Sequence, residues 1–274
     1  MEVFEFRKLQ QTQMEIMDEV HRVCEKNDIT YYIIGGTALG ARRHGGFIPW
    51  DLDIDIAMPR GDYDRFIKIW KTELSSRFIV RDYNNTQRFT HPHALVCIRD
   101  TILEYIYDKY NKNEDNLGIY LDIFPLDKAP KDSLLQKRQA KKLKNISKLK
   151  DAKRGYCYRN GFLYHLIKKG IGGLIFWTSI TRLNKQFDIE SRRYNNEDSA
   201  LLCSMSSHYV YSKQCMPASV YGKPTLVAYE GREYYAPEKL DEYLTRIYGD
   251  FMKLPPEEKR QFNYDVIERI KYDQ

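Results

Sequence analysis

Cysteine is sparse in this sequence and follows no motif. The five copies are scattered along 274 residues with no CxxC spacing, and they are Cys24, Cys97, Cys157, Cys203 and Cys215. An odd, unpatterned set is typical of free thiols in a reducing compartment. The cysteine content therefore excludes a disulfide framework and indicates a cytoplasmic protein.

Long apolar runs are also missing. No stretch reaches the roughly 18 apolar residues that a conventional membrane-spanning helix needs, and there is no internal repeat or low-complexity tract. The first five residues lack the basic-then-apolar layout of a secretory signal. These absences predict a cytoplasmic globular protein.

A strong excess of charge of either sign is absent as well. Lys and Arg number 44 against 38 Asp and Glu, which leaves a net charge of +6. This excess is consistent with phosphate-bearing substrates or an anionic membrane surface, and it is too small to argue for nucleic acid. Hydrophobic residues make up 42% and charged residues 30%, as is ordinary for a globular protein.

The order of helical and strand patterns predicts an α+β (α/β-like) fold with one central sheet. Helices are predicted over 12–26, 62–74 and 237–248, and strands over 31–34, 51–56, 78–81, 94–98, 102–107, 119–124 and 220–229. The composition shifts after Pro130. We therefore predict a catalytic core over 1–130, with a mainly helical region containing short strands over 131–274 packed on it.

Three aspartates alternate with apolar residues in the predicted strand 51–56. Because side chains alternate between the faces of a strand, Asp51, Asp53 and Asp55 are predicted to share one face at intervals of about 7 Å. Like charges stacked in this way repel each other unless a cation lies against them, and hard carboxylate ligands favour Mg²⁺ or Mn²⁺. The alternative is a solvent-facing acidic strand that binds no metal.

A further carboxylate is available on the predicted strand 119–124. A two-metal phosphotransfer site needs another acid to bridge the ions or accept a proton. Asp122 has apolar neighbours that face the core, so pairing of the two strands would bring it opposite Asp53 and Asp55. Asp122 is therefore the third predicted member of the site.

A glycine turn precedes the acidic strand. Adjacent glycines between a strand and a helix let backbone amides approach a phosphate at the helix N-terminus, where the dipole favours an anion. Gly35, Gly36 and Thr37 fit this pattern, although a tight turn explains them equally well. Followed about sixteen residues later by the acidic strand, the turn favours the metal–phosphate interpretation.

The string GTALGARRHGGFIPWDLDID, from Gly36 to Asp55, closely resembles the LicD family of bacterial phosphocholine transferases, which is related to the fukutin-related glycan phosphotransferases. The resemblance resumes in LDIFPLD over 121–127 and in YGD over 248–250, and the middle of the chain diverges. Where the family usually has a third acid between Asp51 and Asp53, this sequence has Leu52. Strand alternation points that position away from the acids, so the predicted site survives.

The resemblance implies a nucleotidyltransferase-type mixed sheet with flanking helices and a helical addition. It implies that Asp53 and Asp55 bind Mg²⁺ or Mn²⁺ together with Asp122, which also helps to deprotonate the acceptor. The implied donor is a CDP-alcohol, by default CDP-choline. Cytidine monophosphate would leave, and the phospho-alcohol would pass to a hydroxyl of a surface glycan such as lipopolysaccharide, teichoic acid or capsule. The further residues assigned to donor phosphates are Gly36, Thr37, Arg42, Arg43, His44 and Asp51.

Several alternatives stay open at this stage. The same site is compatible with glycerol- or ribitol-phosphate transfer, with nucleotidyl transfer from a nucleoside triphosphate, and with a non-catalytic binding protein. The basic run 131–154 and the apolar segment 162–180 indicate either a peripheral contact with the inner face of the membrane, near a lipid-linked acceptor, or a solvated helix beside a buried one. His91 and His93, on either side of Pro92, are interpreted as structural, and Trp50 as a packing residue.

Overall fold

The computed structural model describes residues 3–105, 117–154, 177–260 and 267–273. Its helices are α1 (Val3–Lys26), α2 (Gly35–His44), α3 (Arg60–Glu73), α4 (Ser133–Arg154), α5 (Ile180–Ser191), α6 (Tyr211–Gln214), α7 (Ala218–Tyr221) and α8 (Leu240–Tyr248). Its strands are β1 (Tyr32–Ile33), β2 (Asp55–Pro59), β3 (Phe78–Arg81), β4 (Ala94–Ile98), β5 (Ile102–Tyr105), β6 (Tyr120–Lys128), β7 (Leu201–Cys203), β8 (Met216–Pro217), β9 (Thr225–Tyr229), β10 (Arg232–Ala236) and β11 (Ile267–Lys271).

A mixed sheet of seven strands forms the centre of the fold. Five strands follow the order β1-β2-β6-β4-β3, and β7 and β8 extend the sheet from the far end of β6. The pair β2–β6 is parallel, and the other pairs in this sheet are antiparallel. The predicted α+β class with a mixed sheet is confirmed.

Helix α1 covers this sheet because its apolar residues recur at helical spacing. Leu9, Ile16 and Val20 are fully buried in the main core, and the helix contacts β4 and β6. Such a stripe holds an amphipathic helix against a sheet by removing apolar surface from water. The helix thereby lies behind the strands that carry the acidic residues.

The region after residue 130 continues the same sheet and the same core. Strand β7 pairs with the end of β6, where Asp127 lies opposite Cys203. Tyr221, Tyr234 and Tyr243 are buried in one cluster with residues of the first 130 positions. The division at residue 130 into core and addition stays a prediction.

A buried ion pair ties α3 to the sheet. The guanidinium of Arg60 donates to both carboxylate oxygens of Asp127, at 2.7 and 2.5 Å. Asp127 is fully buried and also accepts from the Asn195 amide at 2.7 Å. The charge of Asp127 is compensated inside the fold rather than being presented to solvent.

The strand predicted over 51–56 is displaced in the structure, and the prediction that Asp51 and Asp53 lie within it is wrong. Strand β2 begins only at Asp55, because the backbone carbonyls of Asp51 and Leu52 accept hydrogen bonds from the Gln10 and Gln13 side chains of α1 rather than from a neighbouring strand. Leu52 nonetheless packs against the core, as alternation predicts.

Three other predicted segments either differ from the observed secondary structure or lie partly outside the described residues. The start of the predicted strand 220–229 belongs to the short helix α7, and only Thr225–Tyr229 is extended. The end of the predicted strand 102–107 and most of the apolar segment 162–180 lie outside the described residues. Within the described ranges, no helix is both long and apolar enough to cross a membrane.

Candidate active site

The parallel pairing of β2 and β6 brings the predicted acids together. Asp55 lies directly opposite Asp122 in the register of the two strands, and the backbone N–H of Asp122 donates to the Ile54 carbonyl at 3.0 Å. Asp53 reaches the same place from the segment before β2. One carboxylate oxygen from each of Asp53, Asp55 and Asp122 lies within 4.8 Å of the others.

The N-terminus of α2 packs closely against these acids at two glycines. A Cβ on Gly35 would lie 2.8 Å from a carboxylate oxygen of Asp55, and a Cβ on Gly36 would lie 2.3 Å from one of Asp51. Gly35 also adopts a φ of +56°, which favours glycine. The helix dipole therefore ends beside the carboxylates, where its positive end attracts anionic groups.

Burial next to other carboxylates raises the pKa values of the acids in this site. Burial raises the pKa of Asp122 to about 7. Burial and the charge of Asp122 raise the pKa of Asp53 to about 6. The pKa values of Asp51 and Asp55 are raised well above the usual range, first by burial and then by the charge of Asp53. A divalent cation would relieve this repulsion, and three hard oxygen ligands suit Mg²⁺ or Mn²⁺.

His93, which was interpreted from the sequence as a structural residue, contacts Asp122. His93 Nε2 lies 2.7 Å from Asp122 Oδ1, and the ring stacks on Phe124 with centroids 4.1 Å apart. Burial lowers the pKa of His93 to about 3. His91 approaches the same carboxylate, since His91, His93 and Asp122 each offer a ligand atom within 4.8 Å of the others.

The acids lie in an open cavity of about 650 Å³. Its lining combines acidic, basic and aromatic groups from both halves of the chain, and it includes Gly36, Arg43, Trp50, Asp51, Asp53, Asp55, His91, His93, Tyr120, Asp122, Phe124, Ser206, His208, Tyr209, Tyr248, Asp250, Phe251 and Lys253. The volume accommodates a ligand of nucleotide size, in the range typical of small-molecule sites.

The other residues assigned to donor phosphates separate into two groups. Gly36, Arg43 and Asp51 line the cavity. The remaining three are not among its lining residues. Thr37 is buried, and its hydroxyl accepts from the backbone N–H of Asp55 at 2.8 Å. Arg42 is committed to an ion pair with Asp241.

His44 is the third residue that was assigned to donor phosphates but does not line the cavity. Its ring stands edge-on to Trp50, with centroids 6.2 Å apart. Trp50, interpreted from sequence as a packing residue, packs on the core and also lines the cavity.

The C-terminal third supplies one wall of the cavity that the sequence did not assign. Tyr209 and Tyr248 stand edge-to-face, with hydroxyl oxygens 2.8 Å apart. Lys253 adds a cation near Phe251, whose carbonyl accepts from the Arg43 guanidinium at 2.9 Å. The resemblance over 248–250 marked this segment as family-like, but it gave no role to these side chains.

Comparison with known proteins identifies similar sequences. A family model described as LicD/FKTN/FKRP, nucleotidyltransferase domain, matches residues 28–152. The lipopolysaccharide cholinephosphotransferase LicD of Haemophilus influenzae is 30% identical over 271 residues, which covers 93% of this chain and 94% of that protein.

The human ribitol 5-phosphate transferase FKRP is 47% identical over 36 residues, 13% of this chain and 7% of that protein. An uncharacterized protein of Rickettsia prowazekii is 30% identical over 112 residues, which are 34% of this chain and 41% of that protein.

Proposed function

The chain belongs to the LicD family, and on that premise we propose that it transfers a phospho-alcohol, by default phosphocholine, from a CDP-linked donor to a hydroxyl of a cell-surface glycan. The observation that carries the proposal is the convergence of Asp53, Asp55 and Asp122 in one open cavity beside the N-terminus of a helix. Relatives with this domain are a cholinephosphotransferase and a ribitol 5-phosphate transferase, which supports a transferase of substituted phosphates.

The three acids fit a divalent metal. Their ligand atoms are close enough to share ions, and burial raises the pKa values of Asp53 and Asp122, so a cation at this position would stabilise their ionised forms. Mg²⁺ or Mn²⁺ bound there would hold the donor phosphate and neutralise the attacking and leaving oxygens. Asp53 and Asp55 would hold the metal together with Asp122.

Asp122 is the proposed proton acceptor for the glycan hydroxyl. It lines the cavity, and its hydrogen bond to His93 orients its carboxylate. A carboxylate held within hydrogen-bond reach of the acceptor hydroxyl can take up its proton as the oxygen attacks. The acceptor oxygen would approach from the open side of the cavity.

The donor diphosphate is assigned to the N-terminus of α2 and to two cations. Gly36 supports this position because the glycine backbone and the dipole favour an anion. Arg43 and Lys253 line the same cavity, and a guanidinium matches phosphate oxygens well. Arg42, which pairs with Asp241, gives a matched control. We expect Arg43→Ala to raise KM for the donor about tenfold and Arg42→Ala to leave it unchanged.

Aromatic groups in the cavity favour choline over glycerol or ribitol as the transferred alcohol. Trp50, Tyr209, Tyr248 and Phe251 line the cavity, and aromatic faces bind quaternary ammonium through cation–π attraction worth about 1–2 kcal/mol. Trp50→Leu should therefore reduce kcat/KM for CDP-choline about 5- to 30-fold and that for CDP-glycerol far less. Equal losses for both donors would assign Trp50 to packing alone.

The decisive experiment separates the reaction classes. Purified protein is incubated with Mg²⁺, a glycan acceptor and, in turn, CDP-choline, CDP-glycerol, CDP-ribitol or CTP. Chromatography then measures cytidine monophosphate and pyrophosphate, and mass spectrometry measures the mass gained by the glycan. We expect release of cytidine monophosphate with a phosphocholine adduct.

Two results would overturn the assignment. Pyrophosphate from CTP, with no cytidine monophosphate from any CDP-alcohol, would indicate nucleotidyl transfer instead. Asp53→Asn, checked for native circular dichroism, should abolish turnover, and full activity in this variant would remove Asp53 from the site.

Helix α4 supports a peripheral membrane contact that would place the cavity near a lipid-linked acceptor at the inner face of the membrane. Between residues 133 and 150 it carries six exposed cations and no acid; the cations are Lys137, Arg138, Lys141, Lys142, Lys144 and Lys148. Each such cation near an anionic bilayer contributes about 1 kcal/mol.

Vesicle co-flotation tests this contact. We expect binding to phosphatidylglycerol vesicles that is lost in high salt and in a Lys137→Gln, Lys141→Gln, Lys148→Gln variant. Equal binding to neutral vesicles would refute an electrostatic contact.

A further inference from the structure

We propose that His91, His93 and Asp122 form a second metal site, selective for a transition-metal ion such as Mn²⁺, Co²⁺ or Zn²⁺. Each residue offers one ligand atom, and the three atoms lie within 4.8 Å of one another. The site shares only Asp122 with the three-carboxylate group. A carboxylate shared in this way is the arrangement by which two-metal centres hold their ions close together.

The spacing of the central pair suits adjacent ligands of one ion. Two donors that each lie about 2.1 Å from an octahedral ion, at right angles, are about 3.0 Å apart. His93 Nε2 and Asp122 Oδ1 are 2.7 Å apart, so a bound ion could replace their hydrogen bond after a small movement. His91 stands on the same side, with its ring centroid 5.6 Å from that of His93.

The surroundings of His93 hold its ring in place beside Asp122. The side chain is only 7% exposed, and the ring stacks on Phe124 with centroids 4.1 Å apart. A ligand held in this way loses little conformational freedom when an ion binds, and imidazole nitrogen is a common protein ligand of transition metals.

The chemistry of the two ligand sets differs. Three carboxylates form a hard oxygen site suited to Mg²⁺, whereas imidazole nitrogens favour transition metals. Both histidines line the same cavity as the acids, so an ion can reach them from the same opening. A centre of this kind would accept Mg²⁺ at one position and select Mn²⁺, Co²⁺ or Zn²⁺ at the other.

Metal stoichiometry tests the proposal without turnover. It rests on the proposed transferase only through the shared Asp122, because ions are counted in the absence of donor and acceptor. Chelator-treated protein is titrated with Co²⁺ or Mn²⁺ by equilibrium dialysis. Pulsed electron paramagnetic resonance of the Mn²⁺ form then detects coupling to imidazole nitrogen.

The variants separate the two positions. We expect two ions per wild-type chain, with nitrogen coupling. His91→Ala and His93→Gln should each lose about one ion and weaken the coupling, whereas Asp53→Asn should keep the nitrogen-ligated ion. His208→Ala is the matched control, since His208 lines the cavity but belongs to neither group.

Two outcomes would overturn this site. The first is a single ion per wild-type chain without nitrogen coupling. The second is unchanged stoichiometry and coupling in both His91→Ala and His93→Gln, which would leave His93 as a residue that only positions Asp122. Retention of two ions in a protein that transfers no phospho-alcohol would keep the site while refuting the proposed function.

Discussion

Replacement of Asp53 by asparagine should stabilise the metal-free protein while it removes catalysis. In the folded chain, burial and the charge of Asp122 raise the pKa of Asp53 from an ordinary 3.8 to about 6. An acid with a raised folded pKa binds its proton more tightly folded than unfolded. The unfolding free energy therefore falls as the pH rises from about 4 to about 6. Above that range the ionised carboxylate lowers the unfolding free energy by the full amount that corresponds to its pKa shift.

The gain in unfolding free energy expected for Asp53→Asn follows from the pKa shift of Asp53. About two pKa units correspond to about 3 kcal/mol, and the partial exposure of Asp53 reduces this by about half through solvent screening. A gain of about 1–2 kcal/mol should raise Tm by about 2–5 °C in a chain of this size. Asn keeps the shape of Asp and can still accept a hydrogen bond from a protonated Asp51.

Thermal unfolding in the presence of a chelator, at pH values from 4 to 8, measures the effect. We expect Asp53→Asn to melt above wild type at pH 8, with a difference that narrows below pH 6 and is lost near pH 4, where Asp53 is protonated in the folded chain and begins to be protonated in the unfolded chain. Asp198→Asn, at a fully exposed aspartate, should change neither curve. A variant that melts below wild type at pH 8, or a difference that does not depend on pH, would refute the account of a charge-strained site.

Three other predictions concern the acids and their support. Millimolar Mn²⁺ or Mg²⁺ should raise the Tm of wild type at pH 8 more than at pH 5, because the ions bind ionised carboxylates; equal shifts would argue against carboxylate ligation. Gly36→Ala should lower kcat at least tenfold with a smaller effect on Tm, because its Cβ would collide with Asp51; Gly61→Ala, where a Cβ meets open space, is the control in the same assays. Arg60→Met should cost about 3–5 kcal/mol in denaturant unfolding, since it leaves Asp127 buried without its cation; adding Asp127→Asn should recover part of that loss, and a single variant as stable as wild type would contradict the role of the pair.

The acidic centre was largely predictable from the sequence. The spacing of Asp53 and Asp55, and a second apolar strand carrying Asp122, were sufficient to predict that the three acids meet, and the register of β2 with β6 places Asp55 opposite Asp122. Alternation also predicted correctly that Leu52 packs on the core. Asp51 and Asp53 precede the strand, and hydrogen bonds from α1 to the Asp51 and Leu52 carbonyls hold the backbone of this segment.

The structure gives a second physical reason for the two glycines at the start of α2. The sequence suggested that Gly35 and Gly36 allow a phosphate to approach the backbone. In the structure the side chains of Asp55 and Asp51 already occupy the space where a Cβ would lie. The requirement for glycine therefore arises at least as much from the carboxylates as from a ligand.

Tertiary structure alone decided which of the other polar residues belong to the cavity. Arg42 and Arg43 are adjacent and chemically identical, yet one pairs with Asp241 and the other lines the cavity. Tyr209 and Tyr248 enter from a region with no motif that assigns them a role. His93 reaches Asp122 only because β4 and β6 are neighbours in the sheet.

The physical reason is the range of the interactions. Side-chain alternation, a glycine turn and a local motif depend on residues within about twenty positions of one another, so the sequence by itself determined that Asp53 and Asp55 are close neighbours and that Asp122 lies on a second apolar strand. The meeting of Asp122 with Asp55 depends on the pairing of β2 with β6. Contacts such as those of Tyr248 and His93 join elements far apart in the chain, and they depend on strand order and on how the C-terminal helices pack. Those features are set by the burial of the whole core, which periodicity in one segment does not encode.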